Sequence, residues 1–436
     1  MKYKASRYNI VIKQDEDIII YNCYRGGITK LRLDLWDRIN RSAFYKNEIE
    51  YFDELFRDGY IVDEQLDEYQ RVKMQREERI ASLYPKIVSY VLVPTLSCNL
   101  NCCYCFEKYL KKDDFNNKIT QEMLDKIEKF ILNENNYNNQ LKTIILHWFG
   151  GEPLLCYDQI ISFSQQLKRE LSQRGIQLIS RMTSNGVLLS KEKIESLTLN
   201  CGLKKIQITL DGMAKSYCEK KQTNLSTFNK VIENIILSTY YLETTIRLNA
   251  DKNNFEELKE LMQLLFTSNI NKNNLKVSFA QIRNYTNDSF LDSNCLNDYE
   301  FWKYKKQFYD FLKQFNYYDN TNEQLPVFVP FSYCGIRTKH NFVIDFSGNL
   351  YKCEHYMGDE TKKVGTVQNG IYFNEEYIKS QNFIDKTKCK LCNIYPCCNY
   401  AECSVMFDLT GNNNCSCYSD QVKIIKESVI DYLKNL

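Results

Sequence analysis

Histidine is scarce: His147, His340 and His355 are the only three in 436 residues, so any metal chemistry must rest on sulfur. Also missing is a run of roughly 18 apolar residues, which leaves the sequence without a candidate membrane-crossing helix. The start, Met1-Lys-Tyr-Lys-Ala-Ser-Arg-Tyr8, has no apolar signal core. A cytosolic protein is the expectation, with no membrane partner. Neither sign of charge is in excess, since 57 basic residues against 55 acidic ones give a net +2. Without a long basic stripe, nucleic acid is not an expected partner. Disorder is excluded by 44% hydrophobic and 14% aromatic content, which is ample for packed cores. The length calls for two or three domains.

What the chain does have is sulfur. In a reducing cytosol its 18 cysteines read as metal ligands more readily than as disulfides. Three of them, Cys98, Cys102 and Cys105, stand at C-x3-C-x2-C in the run Leu96-Ser-Cys-Asn-Leu-Asn-Cys-Cys-Tyr-Cys-Phe106. Two further cysteines at fixed offsets arise by chance roughly 0.03 times per chain of this composition. Three thiolates can ligate three irons of a [4Fe–4S] cluster and leave the fourth iron without a protein ligand. An open iron can bind a substrate or cosubstrate, which makes a reaction centre rather than an electron wire. Cys103 lies between the ligands, but using it breaks the three-two spacing, so it reads as a bystander.

Periodicity divides the chain. Within residues 1–82, alternating runs at Tyr8–Lys13 and Ile18–Tyr21 read as strands, Arg25-Gly-Gly-Ile28 as a turn, and Lys30–Leu33 as a third strand. Helices are expected around Asp34–Ile39 and Ile49–Phe56, a wing-like strand at Asp58–Val62, and a charged helix over Glu64–Arg79. That order predicts a small separate winged-helix module. Residues 83–295 alternate strand and helix, with strands expected at Ile87–Val93, Thr143–Trp148, Leu178–Met182, Ile206–Leu210, Thr244–Leu248 and Leu275–Phe279. Between them, Thr120–Leu132 and Ser226–Tyr240 are amphipathic helices. Asn254-Phe-Glu-Glu257 reads as a capping box opening Phe255–Phe266. The fold class is therefore α/β, a partial (β/α)6 TIM-type barrel, with a doubly wound open sheet as the alternative. Either architecture places sites beyond the carboxyl ends of the strands. Residues 296–329 hold a bridging helix, Tyr299–Phe315. Residues 330–436 are cysteine-dense and helix-poor until Asp420–Leu433, as expected of a region that folds around metal.

The motif Cys98-x3-Cys102-x-Tyr104-Cys105 resembles the signature of the radical S-adenosylmethionine (SAM) superfamily. The resemblance implies SAM chelated at the open iron, reductive cleavage of its sulfonium C–S bond, and a 5′-deoxyadenosyl radical that abstracts hydrogen from substrate. By the same resemblance, Gly150-Gly151-Glu152-Pro153 after the second strand is the site for the SAM amino group. There two glycines allow close backbone approach and a carboxylate can meet an ammonium. Ser184-Asn185-Gly186 resembles the polar loop that meets the ribose or carboxylate. Tyr104, Gln207, Asp211 and Arg247 are implied cosubstrate or substrate contacts; a capped turn or a solvated pair is the plain alternative for the last three.

The C-terminal region resembles the SPASM extension of radical SAM enzymes that modify peptides and proteins. Cys334-x13-Gly348-x4-Cys353 fits its pattern, as does Cys389-x2-Cys392-x5-Cys398, while Cys403 follows after four residues instead of three. The resemblance implies one auxiliary cluster on Cys389, Cys392, Cys398 and Cys417, with Cys415 the rival for the last place. A second would rest on Cys334, Cys353 and Cys403, one thiolate short unless Cys295 or another cysteine reaches it. The implied cofactors are SAM and three [4Fe–4S] clusters. A zinc-ribbon-like site on Cys389, Cys392, Cys398 and Cys403 is the plain alternative. The N-terminal unit resembles the recognition element that binds leader peptides of ribosomally made natural products, by strand addition to a sheet edge; a purely structural domain is its alternative. The expected partners are a ribosomally synthesised precursor peptide and an electron donor such as flavodoxin or ferredoxin. The expected reaction is an oxidative intramolecular cross-link, carbon–sulfur or carbon–carbon. The first alternative is an anaerobic sulfatase-maturating enzyme forming formylglycine, whose catalytic Asp would fall where this chain has Glu354, the candidate catalytic residue. The other alternative is a zinc-stabilised binding protein without catalysis.

Overall fold

In a computed structural model of the chain, the residues described are 1–83, 86–107, 118–136, 138–283, 294–318, 338–381, 387–398, 403, 405 and 418–434. The first five strands form two small antiparallel sheets. Strand β1 (Tyr3–Ala5) pairs with β5 (Ile61–Asp63), and β2 (Asn9–Gln14), β3 (Asp17–Asn22) and β4 (Ile28–Arg32) form a meander. The run expected as a wing thus pairs with β1, a strand too short to show a period in the sequence. Helices α1 (Leu33–Arg41), α2 (Phe52–Arg57) and α3 (Glu68–Leu83) complete this part.

Strand β3 is buried on both faces, which is why Ile18-Ile-Ile-Tyr21 runs apolar without alternation. Ile18 and Ile20 face Leu35, Trp36, Ile39, Phe52 and Leu55. Ile19 and Tyr21 face the other way, onto Ile394, Tyr395, Ile425 and Val429 of the cysteine-rich region. Residues 1–82 are therefore not a free-standing unit: one whole sheet face is completed by the far end of the chain.

Six strands then run parallel, each beside the next in chain order: β6 (Ile87–Leu92), β7 (Thr143–Trp148), β8 (Gln177–Ser184), β9 (Leu203–Leu210), β10 (Glu243–Ala250) and β11 (Leu275–Gln281). That order has no reversal, so the doubly wound alternative, which needs a switch point, does not apply. The covering helices are α4 (Gln121–Glu134), α5 (Tyr157–Gln173), α6 (Lys191–Cys201), α7 (Ala214–Lys221), α8 (Leu225–Ser238) and α9 (Phe255–Thr267). Three start where a side chain accepts a backbone N–H: Thr120 from Met123, Ser190 from Lys193, and Asn224 from Thr227. Ile144, Leu146 and Trp148 of β7 and Ile206, Ile208 and Leu210 of β9 bury against these helices in one continuous core.

The capping box expected at Asn254 and Glu257 does not form. Asn254 makes no side-chain cap; its amide donates to the carbonyls of Asp211 (3.0 Å) and Asn249 (2.8 Å). Glu257 accepts from Ser216 (2.7 Å) and from the Met213 N–H (3.2 Å). Long-range partners at the barrel mouth outcompete the local cap.

Helix α10 (Asp298–Lys313) follows, opened by a capping box between Asn297 and Glu300. Strand β12 (Phe342–Ile344) adds in parallel to the free edge of β6, and β13 (Asn349–Tyr351), β14 (Gly365–Thr366) and β15 (Gly370–Ile371) continue antiparallel. The β12–β13 turn needs Gly348 in the left-handed region, at φ 79°. Asp345 accepts from the N–H groups of Ser347 and Asn349, both at 2.9 Å. This hairpin carries Cys353 to the mouth of the parallel sheet, where Tyr351 and Met357 pack with Val93 and Leu96. Helices α11 (Glu375–Gln381), α12 (Thr387–Leu391) and α13 (Tyr418–Lys434) finish the described chain. Among the described residues no helix is long and apolar enough to cross a membrane.

Candidate active site

The cysteine loop leaves the carboxyl end of β6 and is tied down by backbone bonds to the end of α7 and by one within the loop. Cys103 N–H donates to the Lys220 carbonyl (2.9 Å), Asn101 N–H to that of Lys221 (3.2 Å), and Cys105 N–H to that of Cys102 (3.3 Å). The Cys98 sulfur accepts from the Leu100 N–H at 3.4 Å and from the Asn185 amide at 3.6 Å. Cys98, Cys102 and Cys105 are half-buried and within electrostatic reach of one another, whereas Cys103 is exposed. Burial pushes all three thiols up, Cys105 to about 11. No three metal-binding side chains among the described residues converge at the spacing of a single ion. A four-iron cube is larger than an ion, and three half-buried thiols on one loop, with two N–H donors aimed at one of the sulfurs, fit it.

Gly150 and Gly151 lie directly under this loop. A Cβ on Gly150, whose φ is 112°, would strike the Thr95 carbonyl and come within 2.8 Å of Val93. On Gly151 it would strike the Ser97 carbonyl and come within 2.6 Å of that of Leu96. Only glycine lets these two backbones meet, and the Gly151 and Glu152 N–H groups donate to the Thr95 (3.1 Å) and Ser97 (2.9 Å) carbonyls. Pro153 then opens a short 3₁₀ turn, Pro153–Cys156.

Glu152 is anchored by the protein on both sides. Its carboxylate is fully buried and accepts from the Asn185 N–H (2.8 Å), the Leu154 N–H (3.0 Å) and the Ser184 hydroxyl (3.0 Å). Its hydrogen bonds go to the protein, so it clamps the loop after β8 to the loop after β7. Burial outweighs these donors and lifts its pKa to about 7. Asn185, held by that clamp, reaches both Cys98 and Asn99, the latter at 2.7 Å.

Tyr104 and Asp211, expected as cosubstrate contacts, meet each other. The Tyr104 hydroxyl donates to Asp211 Oδ2 at 2.5 Å, and Lys221 Nζ lies 3.0 Å from the same oxygen and 2.9 Å from the hydroxyl. Asn249 donates to the other Asp211 oxygen at 3.0 Å. A buried carboxylate with three donors holds the cysteine loop against β9 and β10. Lys221, which nothing in the sequence singled out, also places a positive charge beside Cys102.

The inner face of the sheet is polar. Adjacent strands align His147 with Arg181, Thr183 with Gln207 and Thr245, and Thr209 with Arg247. His147 Nε2 is 2.9 Å from the Thr183 hydroxyl oxygen. Gln207 is half-buried on this face, and Arg247 Nε donates to Asn249 at 3.0 Å. The turn Glu354–Tyr356, next to Cys353, closes on this face. Glu354 opposes both His147 and His355, and Arg247 opposes His355. Burial pulls the pKa of both histidines down, against the Glu354 carboxylate, which raises it. Phe106, directly after Cys105, lies over the His355 ring, centroid to centroid at 4.4 Å. The structure thus brings Glu354 to the rim of the cysteine loop.

Residues 92–265 match the profile of the Radical SAM superfamily. The chain carries a radical SAM domain. It is 27% identical to the cysteine-type anaerobic sulfatase-maturating enzyme of Clostridium novyi over 342 residues, which is 72% of this chain and 87% of that protein. Among solved structures it resembles anSMEcpe with bound AdoMet at a TM-score of 0.59, with 18% identity, over 80% of this chain and 100% of that one. It resembles Streptococcus suis SuiB bound to precursor peptide SuiA at 0.54, with 16% identity, over 93% and 96%. These likenesses to solved structures are of fold.

Outside the radical SAM domain, Cys353 sits beside Glu354, its sulfur 3.8 Å from Oε2. Cys389, Cys392, Cys397 and Cys398 are half-buried around the seam that packs on β2 and β3. Cys403 is half-buried. Cys334, Cys415 and Cys417 lie outside the described residues, so the first SPASM cysteine and the last are not placed. Sequence reasoning missed Lys221, His147 and His355 as site residues. Of these only His147 carried a signal, a polar residue at an inward position of an otherwise apolar strand.

Proposed function

We propose that this chain is a radical SAM enzyme that acts on a ribosomally synthesised precursor peptide and closes an intramolecular carbon–sulfur or carbon–carbon bond. The observation that carries this reading is the placement of Glu354, His147 and His355 on a polar inner face, at the rim of the Cys98 loop. When bound, a [4Fe–4S] cluster with SAM supplies a 5′-deoxyadenosyl radical able to take hydrogen from an unreactive carbon. Cys98, Cys102 and Cys105 would hold that cluster, and the Gly150–Gly151 backbone would give the cosubstrate its close approach. Tyr104, Asp211 and Lys221 fix the loop, and Glu152, Ser184 and Asn185 fix it from the other side. Glu354 is the group placed to take the proton released as the peptide is oxidised. Gln207 and Arg247 line the path by which the peptide reaches it. The protein's share is positioning and exclusion of water.

The auxiliary clusters belong to the same proposal. The SPASM-like motif assigns one to Cys389, Cys392 and Cys398 with Cys417 or Cys415, and one to Cys334, Cys353 and Cys403. They would accept the electron released as the product closes, and a donor protein of the flavodoxin or ferredoxin kind would supply the electron that SAM cleavage needs. Residues 1–82, read as a winged-helix element, would dock the leader and raise the local concentration of the core peptide. The first alternative is formation of formylglycine, which the long match to the Clostridium novyi relative favours. One experiment separates the two. Anaerobic incubation with SAM, reductant and a candidate peptide is followed by mass spectrometry. Loss of two hydrogens with every sulfur retained and no aldehyde trapped by a hydrazide supports the cross-link. Exchange of a cysteine sulfur for oxygen together with loss of two hydrogens, or loss of two hydrogens at a serine, with an aldehyde that a hydrazide traps, supports formylglycine, and an unchanged peptide with every candidate refutes both.

A further inference from the structure

Cys23 is a sulfur with no place in the motifs above. It follows β3, is wholly buried, and is held by its N–H bond to the Tyr8 carbonyl at 2.9 Å. The default for such a residue is an inert apolar filler. Its surroundings are not those of a filler. Cys397 and Cys392 pack on the cluster that holds Cys23, and both lie within electrostatic reach of its thiol. Cys389, Cys392, Cys397 and Cys398 all pack on the apolar cluster that contains Cys23. Five thiols from opposite ends of the chain, none of them in a disulfide, thus gather at one seam.

The seam is fixed independently of the sulfurs. The Tyr395–Cys397 turn presents its carbonyls to Arg76 of α3, which donates to those of Tyr395 (3.3 Å) and Pro396 (3.0 Å). The same guanidinium lies 4.8 Å from the centre of the Tyr395 ring, and Tyr69 packs on that ring at 4.9 Å. Cys397 Sγ is oriented by the Ile394 carbonyl at 3.4 Å. Cys389, Cys392 and Cys397 thus come to the seam from the C-terminal region, and Cys23 comes to it from β3.

We propose that Cys23 is a thiolate ligand of the auxiliary iron–sulfur cluster, together with Cys389, Cys392 and Cys397. This rests on the auxiliary-cluster reading above and revises its ligands: Cys23 and Cys397 take the places given to Cys417 or Cys415 and to Cys398. Each thiol releases its proton to solvent as it binds iron, and no redox change is required. The peptide-docking part of the chain is thereby bonded, through iron, to the electron-transfer region.

The test uses the full chain in which Cys98, Cys102 and Cys105 are all replaced by Ala, so that iron at the reactive loop does not mask the rest. That protein and its C23V and C23S derivatives are reconstituted without air. Iron and acid-labile sulfide per chain are measured, with EPR after reduction. C23V keeps the apolar packing without sulfur; it is expected to lose about one cluster's worth of iron, roughly four atoms. C23S, with oxygen in place of sulfur, is expected to show a shifted EPR signal. Should C23V not fold, the C23S spectrum decides. Iron content and spectra equal to the parent in the variants that fold would overturn the proposal. A parent that binds no iron would instead sink the auxiliary-cluster reading beneath it.

Discussion

Lys221 and Asp211 form an ion pair of 3.0 Å with side chains 4% and 0% exposed, and the Tyr104 hydroxyl bonds to both. Burial disfavours the lysine's charge, but Asp211 and Tyr104 hold its pKa well above the usual lysine range. Removing one partner of a buried pair strands the other, which costs about 3–5 kcal/mol. K221M is therefore expected to lower stability by that order, and K221M with D211N to recover part of it, as measured by denaturant unfolding. A double variant no more stable than K221M would show that the pair is not coupled.

Glu152 gives a pH dependence with a definite sign. Its pKa is about 7 in the folded chain against an ordinary 4.5, so the folded state holds its proton more tightly. The stabilisation is full below pH 4.5, shrinks as pH rises, and is gone above about 7. It amounts to something on the order of 3 kcal/mol across that window. The difference in melting temperature between the parent and E152Q, measured from pH 5 to 8, is expected to change through this range. A difference independent of pH would mean that Glu152 is ionised throughout.

Gly151→Ala tests the contact between the two loops. Its Cβ would strike the Ser97 carbonyl, so the cysteine loop must shift. Because displacement of a reacting group by about an ångström can cost on the order of 100-fold, 5′-deoxyadenosine formation is expected to fall by that order. Unfolding is expected to move far less. Parent-level turnover would show that the loop tolerates the shift.

Glu354→Gln should separate radical formation from use of the radical. Loss of a positioned acid–base group costs on the order of 100-fold or more. Peptide product is expected to fall by at least that, with SAM cleavage in the absence of peptide close to the parent's. Equal loss of both would make Glu354 a structural neighbour of Cys353.

Much of this was legible in the sequence. All six parallel strands could be located, because each carries apolar residues in a run or in alternation between helical segments, and one of them, Thr143–Trp148, matches to the residue. The cysteine loop, Gly150–Gly151 and Ser184–Asn185 converge as their positions after consecutive strands imply. What could not be read was partnership. Glu152 and Asp211 are acidic residues after strands, and only coordinates reveal that protein donors already occupy both. Asn254 had a sound local cap available, and long-range bonds to Asp211 and Asn249 overrode it. The seam between β3 and Tyr395 joins residues too distant for any periodicity to connect.

The central claim is that Cys98, Cys102 and Cys105 hold the centre at which SAM is opened. Its most direct test is 5′-deoxyadenosine formation by the reduced, reconstituted chain against the variant with all three replaced by Ala. The parent is expected to cleave SAM and the variant to give none. Continued 5′-deoxyadenosine formation by a folded variant would contradict the account.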